Sequence, residues 1–210
     1  MARKFLNPDN ALMITMTQVT DCIFLSLFWF LGCIPLVTIG ASFAALYDAT
    51  YRGFRQGDKH CWGRFWQVYK ANWKAGLVPT AVFLAAGALL TKTLIALWNS
   101  AVAGQMSWML FSGMAFLGVL LTGILSILFP MLSRFENTLP MLLKNTVLLG
   151  MANLPRTLAL GLVNAMTVLL CAVFVIPLFF LPSLAALIGS LMIEPMFRPF
   201  LPAEDMAETE

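Results

Sequence analysis

The chain has 210 residues, of which 60% are hydrophobic and only 11% are charged, with a formal net charge of +3. Soluble domains carry about 25% charged residues, so this composition excludes a protein that covers its whole surface with water-facing side chains. The length suits four to six membrane crossings of roughly 20 residues each. We therefore predict an all-α fold, a polytopic transmembrane helical bundle of about five spans with amphipathic cytoplasmic surface helices.

The first predicted span covers residues 19–39 and has no charged residue after Asp21. Gly32 and Pro35 lie inside it and should bend or break the helix, since proline lacks the backbone donor that a helix interior needs. The helix can resume beyond Pro35. There a repeat of small residues at every fourth position predicts a face that a neighbouring helix approaches closely, formed by Ala41, Ala45 and Ala49.

The remaining predicted spans cover residues 75–97, 108–132, 158–177 and 183–197. The uncharged stretch between Lys92 and Arg134 is too long for one helix, and its small, polar centre predicts a turn flanked by Trp98 and Trp108 as interfacial anchors. The last span is short, so it either crosses the membrane or is re-entrant. Residues 1–200 form a single membrane domain in this prediction, and the acidic tail, residues 201–210, is expected to be disordered.

The four cysteines show no paired spacing, and we expect them to be free thiols. They lie at positions 22, 33, 61 and 171.

Lysine and arginine near span ends indicate the cytoplasmic side. The segments 47–74 and 134–156 are rich in these residues and are predicted to be cytoplasmic, whereas the turn at 99–107 has none and is predicted to be external. Five crossings place the N-terminus outside, although Arg3 and Lys4 favour an inside start. A first segment that breaks at Pro35 and returns to its own side removes this conflict, and both arrangements stay open.

The segment from Trp62 to Lys74 combines an aromatic stripe with a basic face. On a helical wheel the aromatic residues fall on one narrow arc, beside Arg64, Lys70 and Lys74. This pattern is typical of a helix that lies on the membrane surface. The alternative is a helix that packs its aromatic side against the transmembrane bundle.

Few ionisable residues lie in or near the predicted spans, and each is a functional candidate because a buried unpaired charge is costly. They are Asp21, Asp48, Lys92 and Glu194. Structural roles are favoured: Asp48 can pair with Arg52 one helical turn later, and Glu194 precedes Arg198 by the same spacing.

No motif for catalysis or cofactor binding is present. His60 beside Cys61 supplies only two ligand types, and a tetrahedral metal site needs three or four. The common nucleophile, zinc-protease, dinucleotide and phosphate-loop patterns are absent. We expect no enzyme activity, no cofactor and no metal. The positive-inside rule explains the basic loops, so the lipid bilayer is the expected partner and nucleic acid is not.

Four segments resemble the YesL family of bacterial membrane proteins: the aromatic Leu27–Phe30, the stretch Ile34–Ala41 with the sequence IPLVTIGA, the block Phe65–Lys74 and the near-terminal Ile193–Phe197. The resemblance covers nearly the whole chain. It implies a multi-pass protein of the bacterial cytoplasmic membrane, from a family of unknown function that is often encoded near genes for carbohydrate uptake and degradation. It supplies no catalytic residues.

Three function classes follow. The leading hypothesis is an accessory or regulatory component that associates with permease or ATPase subunits of a sugar ABC transporter. The alternative is a self-sufficient transporter or channel, possible as a homo-oligomer, that uses the broken helix near Pro35 with Thr38 and Ser42 facing the solute. The third is an intramembrane enzyme. The candidate functional or interaction residues are Pro35, Thr38, Gly40, Asp48, Arg52, Trp66, Asn72, Trp73, Lys74 and Glu194.

Overall fold

The structure is a computed structural model that describes residues 11–58, 60–104, 108–135, 138–174 and 176–200. Within these ranges the chain forms α-helices and no strand, which confirms the all-α class. The predicted acidic tail and the basic residues Arg3 and Lys4 lie outside the described residues. The helices are α1 (Ala11–Cys33), α2 (Ile39–Arg55), α3 (Cys61–Asn72), α4 (Leu77–Val102), α5 (Trp108–Arg134), α6 (Leu139–Ala152), α7 (Leu154–Val173) and α8 (Leu181–Phe197).

Four of these helices, α1, α4, α5 and α7, are long and apolar enough to cross a membrane. They fit an integral membrane protein. The predicted fifth crossing, residues 183–197, falls on α8, which has 17 residues and is shorter than the roughly 20 that a crossing usually takes. Whether α8 crosses stays a prediction.

The first predicted span, residues 19–39, contains the predicted break near Pro35, and its helix ends before residue 39. The helix α1 ends at Cys33, a short 3-10 turn covers Leu36–Thr38, and α2 begins at Ile39. Pro35 precedes this turn in an extended conformation, because a proline cannot continue the hydrogen-bond ladder of a helix. The predicted break at Pro35 is therefore confirmed, and the first span ends at Cys33 instead of at residue 39.

After the break, α2 runs back along α1. Trp29 near the end of α1 packs edge-on against Phe43 near the start of α2, with ring centroids 5.2 Å apart, and Leu25 shares a buried cluster with Ala49 further along. This antiparallel course is the one expected for a first segment that returns to its own side. The side of the membrane itself stays a prediction.

The helix α2 lies at the centre of the fold. Its predicted alanine face is confirmed, since Ala41, Ala45 and Ala49 are fully buried. One side of α2 packs on α1 and α3 around Phe65, and the other contributes Tyr47 to a second cluster built from α5, α6, α7 and α8. Both hydrophobic cores therefore depend on this one short helix.

The helices α5 and α7 cross at two glycines. A Cβ atom added at Gly161 would meet the backbone carbonyl of Val119, and one added at Gly123 would meet the carbonyl of Thr157. Backbone atoms cannot move aside as the end of a flexible side chain can. The crossing therefore requires residues without side chains, as small-residue contacts between membrane helices usually do.

Replacing Gly161 by alanine should destabilise the fold, because the new methyl group clashes with backbone. Overpacking of this kind costs about 1–3 kcal/mol. We expect a lower midpoint of thermal unfolding in mild detergent. Gly87→Ala on α4 is the matched control, since open space surrounds that position. Equal midpoints for the two variants would contradict the tight crossing.

Candidate functional site

The break between α1 and α2 is held by its own hydroxyl groups. The Thr38 hydroxyl lies 2.8 Å from the Gly32 carbonyl oxygen and 2.9 Å from that of Pro35. The hydroxyl of Ser42, which is fully buried, donates to the Thr38 carbonyl at 3.1 Å. The carbonyls that the break frees thus find partners inside the protein, and Pro35 itself is exposed.

Gly40 joins the start of α2 to α4. Its backbone N–H donates to the Thr80 hydroxyl at 3.0 Å. A Cβ atom at this position would meet that hydroxyl and lie 2.7 Å from the Phe129 ring. Gly40 therefore serves close packing among α2, α4 and α5.

Asp48 forms the first of two ionic clusters on α2. Its side chain is only 2% exposed and pairs with two arginines. The expected pair with Arg52 is present, with Nε 3.3 Å from Oδ1. The shorter contact comes from Arg64 of α3, whose Nε lies 2.7 Å from Oδ2. Asp48 therefore also fixes α3 to α2, which local spacing did not indicate.

A second polar contact fixes the start of α3 to α1. The Trp62 indole N–H donates to Asp21 Oδ1 at 2.9 Å. Beside it, burial and the Asp21 carboxylate raise the pKa of the Cys61 thiol to about 11. The thiol is protonated at neutral pH and lacks the thiolate form that a nucleophile needs.

All four cysteines are free in the structure, as predicted. Over the described ranges, no group of three or more His, Cys, Asp or Glu side chains comes close enough together to hold a metal ion.

Glu194 forms the second ionic cluster. Its Oε1 accepts hydrogen bonds from the Tyr47 hydroxyl and from Arg134 Nη2, both at 2.8 Å. The prediction of a pair with Arg198 was wrong: among the described residues the ion pair of Glu194 is with Arg134, and Arg198 is exposed. The Arg134 guanidinium also lies 4.4 Å from the centre of the Tyr51 ring, a cation–π contact. Three helices, α2, α5 and α8, meet at this carboxylate.

Burial and the neighbouring Glu194 carboxylate raise the pKa of Tyr47 well above its usual value. The phenol therefore keeps its proton and remains the donor in this cluster.

The aromatic stripe of α3 is divided between two environments. Phe65 is fully buried against α1 and α2, whereas Trp66 is 37% and Trp73 47% exposed. The Phe28 ring of α1 contacts the rings of Phe65 and Trp66 at centroid distances of 5.9 and 5.7 Å. Packing on the bundle is therefore confirmed for one side of α3. The exposed aromatic and basic residues of α3 and of the two positions that follow it are here called the exposed edge of α3: Trp62, Trp66, Lys70, Trp73 and Lys74.

The end of α3 shapes this exposed edge. The Asn72 side chain donates to the Val68 carbonyl at 3.1 Å, and the Asn72 carbonyl accepts from the Gly76 N–H at 2.8 Å. Lys74 Nζ lies 5.4 Å from the centre of the Trp73 ring. Asn72 thus ends the helix, while Trp73 and Lys74 form an aromatic and cationic pair at the surface.

Three residues of the ionic clusters were not among the predicted candidates: Tyr47, Arg64 and Arg134. Arg134 was assigned to a loop because it follows a long apolar stretch, yet it forms the last turn of α5. Arg134 lies at the end of one apolar run and Glu194 near the end of another. Opposite charges in these matching positions are the signal that could have indicated the pair.

A family model described as "Protein of unknown function, DUF624" matches residues 22–93. This range includes most of α1, the break, α2, α3 and the first part of α4. It contains the Asp48 cluster and the exposed edge of α3, but not Arg134 or Glu194. No curated protein and no solved structure matches the chain. The match and the apolar helices fit an integral membrane protein of uncharacterised activity.

Asp48→Asn should destabilise the contact between α2 and α3, because it leaves two arginines without their carboxylate. Removing one partner of a buried pair costs several kcal/mol, and the partial exposure of both arginines reduces this to about 1–3 kcal/mol. Thermal unfolding in detergent measures the loss. Arg64→Gln should lower the midpoint more than Arg52→Gln, and the reverse order would contradict the assignment of Arg64 as the main partner.

Glu194→Gln should have a larger effect, since it leaves Arg134 buried without a counter-charge. We expect a loss of about 3–5 kcal/mol in the free energy of unfolding, against about 1.5–3 kcal/mol for Tyr47→Phe. The double variant Glu194→Met with Arg134→Met should recover much of the stability, because apolar residues often replace a buried ion pair well. A double variant as unstable as Glu194→Gln would count against a closed ion pair.

Proposed function

We propose that this protein is an accessory or regulatory membrane component that associates with a sugar-importing ATP-driven transporter and acts through contact, not catalysis. The observation that carries the proposal is the exposed edge of α3. It presents three tryptophans and two lysines along α3 and the two residues after its end, and the rest of the protein holds α3 in place.

The support beneath this edge is extensive. Phe65 anchors α3 in the core, Arg64 ties it to Asp48, and Trp62 ties it to Asp21. Tryptophan is enriched among the residues that contribute most to protein interfaces, and a rigid support reduces the entropy lost on binding. This combination favours a docking surface.

A second surface supports the same proposal. Only Pro79, Thr80 and Ala101 of α4 are buried. Lys92 lies within this apolar helix, ten residues before Val102 at its end, and is exposed. In the part of the chain that the structure describes, Lys92 forms no ion pair. A charge within a membrane helix usually pairs or marks a functional contact. An acidic residue of the partner, or the phosphate of a lipid at the contact, would neutralise the Lys92 ammonium group.

The choice of partner rests on the resemblance to the YesL family, to which the matched model corresponds. Members of that family are often encoded near genes for carbohydrate uptake and degradation. A small helical protein without a phosphate-binding motif fits a subunit that accompanies the permease and ATPase subunits of such a transporter.

The interior supports this proposal over a self-sufficient transporter. Both carboxylates buried on or beside α2 are neutralised by internal arginines. At the break, the hydroxyls of Thr38 and Ser42 bond to nearby carbonyls instead of to open space. A sugar path needs many polar groups that remain available to the solute.

A mild-detergent affinity purification from native membranes tests the proposal. We expect permease or ATPase subunits of a sugar transporter to co-purify in stoichiometric amounts. Trp66→Ser with Trp73→Ser should weaken this association by about thirtyfold or more, since truncation of a central interface tryptophan costs about 2 kcal/mol or more. Lys92→Met should weaken it if α4 contributes.

The matched control is Trp98→Ser with Trp108→Ser, a second exposed pair that lies at the turn between α4 and α5. Equal loss in both double variants would indicate unfolding and not docking. Recovery of the chain alone, together with solute uptake by liposomes that contain only this protein, would establish the transporter instead. Turnover of a lipid or glycan would establish an enzyme.

A further inference from the structure

A cavity of ≈ 170 Å³ lies inside the bundle. All four candidate membrane spans contribute to its wall, through Trp29 of α1, Phe83 of α4, Phe129 of α5 and Val168 of α7, and α2 and α8 close it. An apolar cavity of about 150 Å³ in a soluble protein stays dry and binds benzene-sized molecules. This cavity is therefore large enough for an apolar group and unsuited to a sugar.

Val168 of α7 lines the cavity and is 68% exposed. The cavity therefore reaches the protein surface at Val168, which is here called its opening. Because α7 is a candidate span, its outer face meets the bilayer or a membrane partner. A molecule dissolved in the bilayer can therefore enter sideways at Val168.

One turn before Val168 on α7, Asn164 gives the cavity a polar wall. The Asn164 Nδ2 group donates to the Leu160 carbonyl at 2.9 Å and to the Ser126 hydroxyl at 3.1 Å. A carbonyl can only accept, so this contact fixes the orientation of the carboxamide. Among the described residues its Oδ1 atom accepts no hydrogen bond, and Asn164 is one of the residues that line the cavity.

Three hydroxyl groups of this wall already donate their protons to backbone carbonyls, so each can only accept a further hydrogen bond. Thr122 donates to the Gly118 carbonyl and Ser126 to the Thr122 carbonyl, at 2.8 and 2.7 Å. Thr167 donates to the Val163 carbonyl at 2.8 Å. The wall therefore offers acceptors, so a ligand that matches it must bring a hydrogen-bond donor.

We propose that this cavity binds a membrane lipid with a free hydroxyl group, of the diacylglycerol class. Part of an acyl chain fills the apolar interior, and the hydroxyl donates to Asn164 Oδ1 near the opening at Val168. An uncharged donor suits the site, because none of the described residues that line the cavity is acidic or basic. The site is independent of the docking surface on α3.

The test compares 1,2-dioctanoylglycerol with the same molecule methylated at its hydroxyl, added to the whole purified protein in mild detergent. We expect the free hydroxyl to raise the midpoint of thermal unfolding more, and titration to give about two- to tenfold tighter binding than the methyl ether. In Asn164→Leu the two molecules should bind equally. Retained preference in that variant would overturn the role of Oδ1.

Access is tested with a matched pair of variants on α7. Val168→Trp places a large ring at the opening and should weaken binding about tenfold or more. Leu169→Trp adds the same ring at a neighbouring position that is 59% exposed and does not line the cavity, and should bind like the wild type. Equal binding by both variants, or no binding by the folded wild type, would overturn the proposal.

Discussion

The burial of α2 imposes the constraint on which the rest of the structure depends. Eleven of its 17 residues are buried, so its polar side chains cannot turn to water and need partners inside the protein. Ser42 and Thr50 find them on nearby backbone carbonyls, whereas Asp48 and Tyr47 depend on other helices. Asp48 requires Arg64 of α3, and Tyr47 requires Glu194 of α8, which in turn neutralises Arg134 of α5. The positions of α3, α5 and α8 around α2 are thus set by charge and hydrogen bonding as well as by apolar packing.

Much of the fold was predictable because it follows from local rules. The apolar composition predicts membrane helices, Pro35 predicts the break, and the alanines of α2 predict a closely packed face. The partner of Glu194 was not predictable in this way. Its spacing to Arg198 suggested a local pair, whereas Arg134, which is 60 residues distant, is the actual partner. Only the tertiary arrangement of α5 and α8 brings those charges together.

Periodicity also has a limit at α3. It correctly grouped the aromatic residues on one arc of the helix, with Phe65 and Trp66 about 100° apart at its two edges. A wheel does not show which of these edges faces the bundle. In the structure Phe65 is fully buried in the cluster formed with α1 and α2, whereas Trp66 is 37% exposed. The cavity was equally inaccessible to sequence reasoning, since its wall combines residues from helices throughout the chain, with Asn164 as a polar group that no motif marks.

The 60 residues between Arg134 and Glu194 have a consequence for biosynthesis. A ribosome that adds about 5–20 residues per second needs roughly 3–12 s to make Glu194 after Arg134. During that interval α5 is complete while its arginine has no carboxylate, so the charge must stay near water or be shielded by the insertion machinery. The bundle can reach its final arrangement only when α8 leaves the ribosome, which makes the last helix the element that commits the nascent chain to its fold.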